Sequence, residues 1–173
     1  MNLKIFLSGI ALFIGLGLVA YLFNQNSQQS KKPLVEKQQK FEVWQLKPGS
    51  IDDGDTLSVV KDNSELKIRF CGIDAPEYGQ KFSIEARDHL RELVALGNGE
   101  LLIVKVEKDD YQRTIAEVYV QYSMNSAIHL NMQMVRDGYA FWYYAHDNCP
   151  NQESFILAEE LARKESLGIW NAP

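Results

Sequence analysis

The chain has 173 residues, 46% of them hydrophobic and 24% charged, an ordinary globular composition with room for one domain plus an appendage. Its net charge is −5, and because Lys4, Lys31 and Lys32 precede the first acidic residue, Glu36, the remainder carries 15 basic and 23 acidic residues, a net −8. That balance excludes a protein that grips nucleic acid through a broad basic surface, but not a compact site that works on a polyanion with the help of a metal cation.

The first element in chain order is the apolar run Ile5 to Phe23, which no charge interrupts. Its length approaches the roughly 20 residues that cross a bilayer as a helix. Leu18-Val19-Ala20 is a poor match to a small-residue cleavage site, and the run continues past it as Tyr21-Leu22-Phe23. Residues 1–23 therefore read as an uncleaved signal anchor, with a cleaved signal peptide as the alternative. Lys4 on the short side places the amino terminus inside and the following domain outside the cytoplasm. Residues 24–40, rich in Gln, Asn, Ser and Lys, read as a flexible linker. The domain is expected over 41–173.

Within that domain Phe41 to Trp44 alternates like a strand, and Thr56 to Val60 is a second strand ending at the turn Asp62-Asn63. Leu66 to Cys71 alternates again, so the pair reads as a hairpin. Ile73 to Glu77 is expected to be a loop, because Pro76 disfavours a ladder. Ser83 to Leu96 predicts a helix with Ala86, Leu90, Leu93 and Val94 on one face, Ser83 as its cap and Gly97 at its end. Strands follow over Leu101 to Val106 and Thr114 to Val120, separated by Asp109-Asp110. A second helix is expected from Asn125 to Arg136, closed by Gly138, and a third from Gln152 to Glu165. Five short strands with a helix between the third and fourth fit a mainly β, α+β domain: a five-stranded OB-type Greek-key barrel with three helices.

The two cysteines, Cys71 and Cys149, pair if the domain lies outside the cytoplasm, or are buried free thiols. The spacings of a zinc site are absent.

Three clusters carry the chemistry. Asp52-Asp53-Gly54-Asp55-Thr56 opens a strand, Arg69 lies on the next strand and is followed by Asp74-Ala75-Pro76-Glu77, and Asp109-Asp110-Tyr111-Gln112-Arg113 forms the turn before the last strand. The first is not an EF-hand loop, since Gly54 at the sixth position puts Val60 where the twelfth requires a carboxylate. Phosphodiester hydrolysis needs an activated water and neutralisation of the phosphate. Asp55 and Asp74 supply hard oxygen ligands for a calcium or magnesium ion, Glu77 a carboxylate base, and Arg69 and Arg113 planar donor forks for phosphate oxygens. Taken singly, each cluster is an ordinary turn, loop or solvated charge; the reading rests on all three in one domain. His89 and His129, expected on helices, and His146, in a loop, do not make a two-histidine ribonuclease. The stretch Tyr139 to Tyr144 reads as mostly core with one or two rings free.

The order Asp53-Gly54-Asp55-Thr56, then Arg69-x-x-Gly72-Ile73-Asp74-Ala75-Pro76-Glu77, then Asp110-Tyr111-Gln112-Arg113, with the ending Leu167-Gly168-Ile169-Trp170, resembles the staphylococcal nuclease family over roughly residues 41–171. The resemblance implies an OB barrel with three helices, and cleavage of DNA and RNA with little sequence preference. It implies calcium held by Asp55, Asp74 and the backbone carbonyl of Ala75, Glu77 as general base, and Arg69 and Arg113 on the scissile phosphate. Tyr111 matches a phosphate-contacting tyrosine, and Tyr144 an aromatic that packs on a nucleotide base. Ala75 stands where the archetype has threonine, Gln112 where glycine is usual, and Asp110 where a lysine contacts phosphate. If the position of Gln112 needs positive φ, Gln is strained there and Arg113 is displaced. Asp110 implies weaker substrate binding.

The expectation is a monomeric, calcium-dependent nuclease, membrane-anchored outside the cytoplasm or secreted if the leader is cleaved. The alternative is a non-catalytic OB module that binds single-stranded nucleic acid or a protein partner.

Overall fold

The computed structural model describes residues 40–144 and 148–171. The expected anchor, nearly all of the linker and His146 lie outside the described residues. Among these residues, no helix is long and apolar enough to cross a membrane.

Strands β1 (Glu42–Leu46), β2 (Thr56–Lys61), β3 (Ser64–Phe70), β5 (Glu100–Lys108), β6 (Thr114–Ser123) and the short β7 (Ser126–His129), one strand more than expected, form one sheet in the order β3-β2-β1-β5-β6-β7. All neighbours in that order are antiparallel. A parallel pairing of β3 with β6, Ile68 opposite Thr114 through Phe70 opposite Ala116, closes β3-β2-β1-β5-β6 into a ring. The domain is thus a mixed α/β fold built on a mostly antiparallel, OB-like sheet.

Period-two alternation explains these strands. Leu57 and Val59 of β2, Ile68 and Phe70 of β3, and Val118 and Val120 of β6 are fully buried inside the ring. A register shift between Lys105 and Glu107 marks a bulge in β5, the kind of irregularity that sharpens twist and helps a sheet close.

Helix α1 (Ser83–Ala95) buries Ala86, Leu90, Leu93 and Val94, the predicted face. Its cap differs from expectation. Phe82, at φ 70°, occupies the N-cap, and no side chain caps the helix. Ser83 N–H donates to the Gln80 carbonyl at 3.2 Å, so Ser83 is drawn into the first turn and its side chain is buried.

The second helix is shorter than its sequence pattern suggests. Ser126–His129 forms β7, antiparallel to β6, and only Leu130–Arg136 is helical (α2). Pairing with the end of β6 captures the stretch that helical periodicity had claimed, and His129 is therefore a strand residue. The third helix, α3 (Gln152–Lys164), lies where predicted and is followed by a 3-10 turn at Gly168–Asn171.

One further strand pairing escaped prediction, and the cysteines take the paired of their two alternatives. Ile73–Asp74, expected to be a loop, is a two-residue strand, β4, paired with Phe141–Trp142, β8. Pro76 lies beyond the paired residues, so it removes no ladder donor. Cys71 and Cys149 form a disulfide that ties the end of β3 to the segment before α3. The aromatic stretch is less buried than expected: Tyr139 and Trp142 pack against the core, while Phe141, Tyr143 and Tyr144 are exposed, three rings outside the core where one or two were expected.

Candidate active site

The predicted ligands and one arginine meet at the end of the barrel where β2 starts and β3 finishes. Asp53 organises the approach: its Oδ1 accepts the N–H groups of Asp55 and Thr56 at 3.0 and 2.7 Å, an Asx turn that aims Asp55 inward. Gly54 is needed for closeness. A Cβ there would lie 2.8 Å from Ala75 Cβ and 2.9 Å from Ala86 Cβ, so only glycine lets this loop press against the loop that follows β4.

Asp55 is 2% exposed. Its Oδ2 accepts the Ala75 N–H at 2.6 Å and lies 2.6 Å from Arg69 Nη1, and its Oδ1 accepts the Thr56 hydroxyl at 3.1 Å. Arg69 Nη2 donates to Asp74 Oδ1 at 2.7 Å, so the guanidinium bridges the two carboxylates. The contact of Nη1 with Asp55 is close but poorly directed, and this buried nitrogen makes no hydrogen bond.

Burial pushes the Asp55 carboxyl up to about 7, with Asp53 and Asp74 adding to the rise and Arg69 and the Ala75 N–H opposing it. Three carboxylates against one arginine leave the cluster short of positive charge. Its donors are hard oxygens, and the side chain of Asp74 is half-exposed with only Oδ1 engaged. Donors of this kind suit a calcium-type cation.

Arg113 arrives from the opposite seam. The β3–β6 register sets Ile115 opposite Arg69, which brings the residue two positions earlier beside the strand that carries the first arginine. Asp109 holds it: Oδ2 accepts from Arg113 Nε at 2.6 Å, and Oδ1 accepts the N–H groups of Arg113 and Tyr111 at 2.8 and 3.0 Å. Partial burial alone would raise the Asp109 carboxyl, but these donors hold it below the usual carboxylate range. Gln112 sits at φ 63°, so the position does demand left-handed backbone. At this backbone conformation Arg113 is tethered to Asp109. Tyr111 is 82% exposed, its ring 5.5 Å from the Arg113 guanidinium.

Glu77 follows β4 and is exposed; its carboxylate makes no hydrogen bond or ion pair among the described residues. Tyr144 is also exposed, but the β4–β8 register puts Phe141 opposite Asp74 and carries the chain toward Gly72, whose carbonyl accepts the Tyr143 N–H at 2.9 Å. The structure thus gathers Asp55, Arg69, Asp74 and Ala75 in direct contact and sets Tyr111 and Arg113 in the turn that leads into β6, the strand paired with β3. Glu77 and Tyr144 stand at the margins.

Among the described residues, His89 and His129 take no part in this cluster. His89 pairs with Asp137 at 2.7 Å, and His129 stacks on Tyr119. A groove lined by Val43, Trp44, Gln45, Val60, Lys61 and Asp62 contains none of the site residues.

Asp109 and Asn131 are functional supports that sequence reasoning passed over. The Asp-Asp pair signalled a turn, though Asp four residues before Arg was a readable hint. Asn131, fully buried, accepts from Val118 N–H and donates to the carbonyls of Cys71 and Ala116, locking β6 to the loop that leads to β4. Nothing in the sequence marks it.

Comparison with known proteins agrees with this geometry. Residues 67–172 match the family model described as staphylococcal nuclease homologue. The chain is 37% identical over 123 residues to an uncharacterized endonuclease of Haemophilus influenzae, covering 69% of this chain and 62% of that protein. It is 34% identical over 125 residues to the micrococcal nuclease of Shigella flexneri, covering 70% of each. It is 30% identical over 125 residues to the thermonuclease of Staphylococcus hyicus, covering 69% of this chain and 71% of that one. Site, sheet and similarity agree: the chain belongs to the staphylococcal nuclease family, and with it to the nuclease hydrolases.

Proposed function

We propose that the chain is a calcium-dependent endonuclease that hydrolyses DNA, and RNA as well, with low sequence specificity, acting as a monomer outside the cytoplasmic membrane. The observation that carries this reading is the Asp55–Arg69–Asp74 cluster, a buried arginine fork set among carboxylates that are short of positive charge. The uninterrupted run Ile5 to Phe23 and the Cys71–Cys149 disulfide support an oxidising, extracytoplasmic setting.

Calcium bound by Asp55, Asp74 and the Ala75 carbonyl would neutralise charge on the phosphate. The protein's own groups do the rest. Arg69, oriented by its two carboxylates, and Arg113, oriented by Asp109, present donors to the phosphate oxygens as negative charge builds on them. Glu77, exposed and unpaired, takes a proton from the attacking water. Tyr111 contacts a phosphate beside Arg113, and Tyr144 offers a ring to a base.

The test is cleavage of single-stranded DNA by the chain in calcium, in magnesium and in chelator. Cleavage in calcium alone, lost in Arg113→Ala and reduced at least a hundredfold in Glu77→Gln, is expected. A Glu77→Gln protein with full activity would remove the assigned base. A folded chain that binds strands but never cuts them would establish the binding module instead.

A further inference from the structure

The turn that leaves the site after Glu77 carries groups that the proposed catalysis does not use. Gln80 N–H donates to the Glu77 carbonyl at 2.9 Å, and Gln80 Oε1 accepts the Glu77 N–H at 2.9 Å, so the turn is pinned from both sides. Gly79 in its third position has φ 88°, the left-handed value of a type II turn, and a Cβ there would meet nothing within 4 Å. Glycine therefore serves the backbone at this point and not the packing. Its consequence is to throw Tyr78 onto the outer corner, where 89% of that residue is exposed.

Lys81 comes next. Its ammonium lies 5.1 Å from the Phe82 ring and pairs with no carboxylate among the described residues. Phe82 is held at φ 70°, a region sparsely occupied by aromatic residues and kept where the surroundings demand it. A lone exposed tyrosine is ordinary on a protein surface. This one adjoins the exposed carboxylate of Glu77, stands on a turn fixed by two hydrogen bonds, and has an unpaired cation three residues on.

A flat ring and a free ammonium on a rigid lip are the parts that hold a single strand, the ring against a base face and the cation against the backbone. In a duplex the base faces are already covered by their neighbours, so the ring contributes nothing there. We propose that Tyr78, with Lys81, forms a stacking lip that holds an unpaired base of the strand beside the scissile phosphate and directs the chain toward single-stranded polynucleotides. The inference rests on the nuclease reading for the identity of the adjoining site.

Binding and cutting are measured separately. In chelator, anisotropy of a labelled thymidine oligomer gives the Kd of the full chain. Tyr78→Ala is expected to weaken it about tenfold, the scale of one stacked base, and Tyr78→Trp to keep it. Tyr78 is exposed, so the melting temperature stays the same. An oligomer of abasic residues is expected to bind wild type and Tyr78→Ala equally. Lys81→Gln is expected to reduce the salt dependence of binding by about one released ion. Equal Kd values for wild type and Tyr78→Ala on the thymidine oligomer overturn the proposal, as does an equal loss on the abasic oligomer. Cleavage in calcium tests the other reading: a chain that binds through Tyr78 and never cuts keeps the lip and loses the nuclease.

Discussion

Replacing Asp109 by alanine should loosen the turn that carries Arg113 and cost activity with it. Asp109 Oδ1 and Oδ2 accept three hydrogen bonds, two from the backbone of Tyr111 and Arg113 and one from Arg113 Nε. Each is worth about 1 kcal/mol net. The turn is partly open to water, which recovers some of that for the backbone donors, so about 2 kcal/mol of ordering is lost. If the ordered turn is the form that presents Arg113 to phosphate, kcat/KM falls about 30-fold. Asp109→Asn keeps an acceptor for the two backbone donors but loses the charge and sets an amide NH2 against Arg113 Nε, so its loss should be about tenfold. The assay is steady-state cleavage of a single-stranded oligonucleotide, with melting temperature as the control. The reasoning is refuted if Asp109→Ala cuts within twofold of wild type while Arg113→Ala is dead. It is refuted with opposite sign if Asp109→Ala cuts faster, since Asp109 would then be withholding the arginine from the phosphate.

Further expectations concern stability. Gln112→Gly relieves left-handed strain of about 1 kcal/mol and adds a similar unfolded-state entropy, so its urea midpoint should barely move, whereas Gln112→Val should lose at least about 1 kcal/mol. His129, whose ring is mostly covered, has its imidazole pushed down to about 4 by desolvation. The unfolded chain takes up that proton first, so stability is full above about pH 6.5 and falls between about pH 6.5 and 4, by up to about 3 kcal/mol. His129→Gln should flatten that stretch of a pH-dependent unfolding curve. Cys71→Ser combined with Cys149→Ser opens a loop of sequence separation 78, which should cost about 4 kcal/mol in denaturant titration.

What could be read from the sequence was local. Alternation of Thr56 to Val60 and of Leu66 to Cys71 gave the hairpin, because each strand has one wet and one dry face. The apolar spacing of Ala86, Leu90, Leu93 and Val94 gave α1 for the same reason. The site clusters were legible because hard-oxygen ligands and arginine forks are the residue types that phosphodiester chemistry needs. What stayed hidden was decided at long range. Ser126–His129 reads as well for a helix as for a strand, and pairing with β6 settles it. Ile73–Asp74 becomes a strand because Phe141–Trp142 reaches it. The tether of Arg113 to Asp109 depends on a left-handed Gln112, which no propensity favours, and the Cys71–Cys149 bond depends on where α3 begins.

The parallel pairing of β3 with β6 has a kinetic meaning. Arg69 and Arg113 belong to segments that no hairpin joins, and they become neighbours only when the ring is sealed. Pairings of that range carry the entropy of a long intervening loop and form slowly. Hydrolytic competence is therefore an all-or-none property of the sealed ring, and during refolding it should return in step with that closure and never ahead of it.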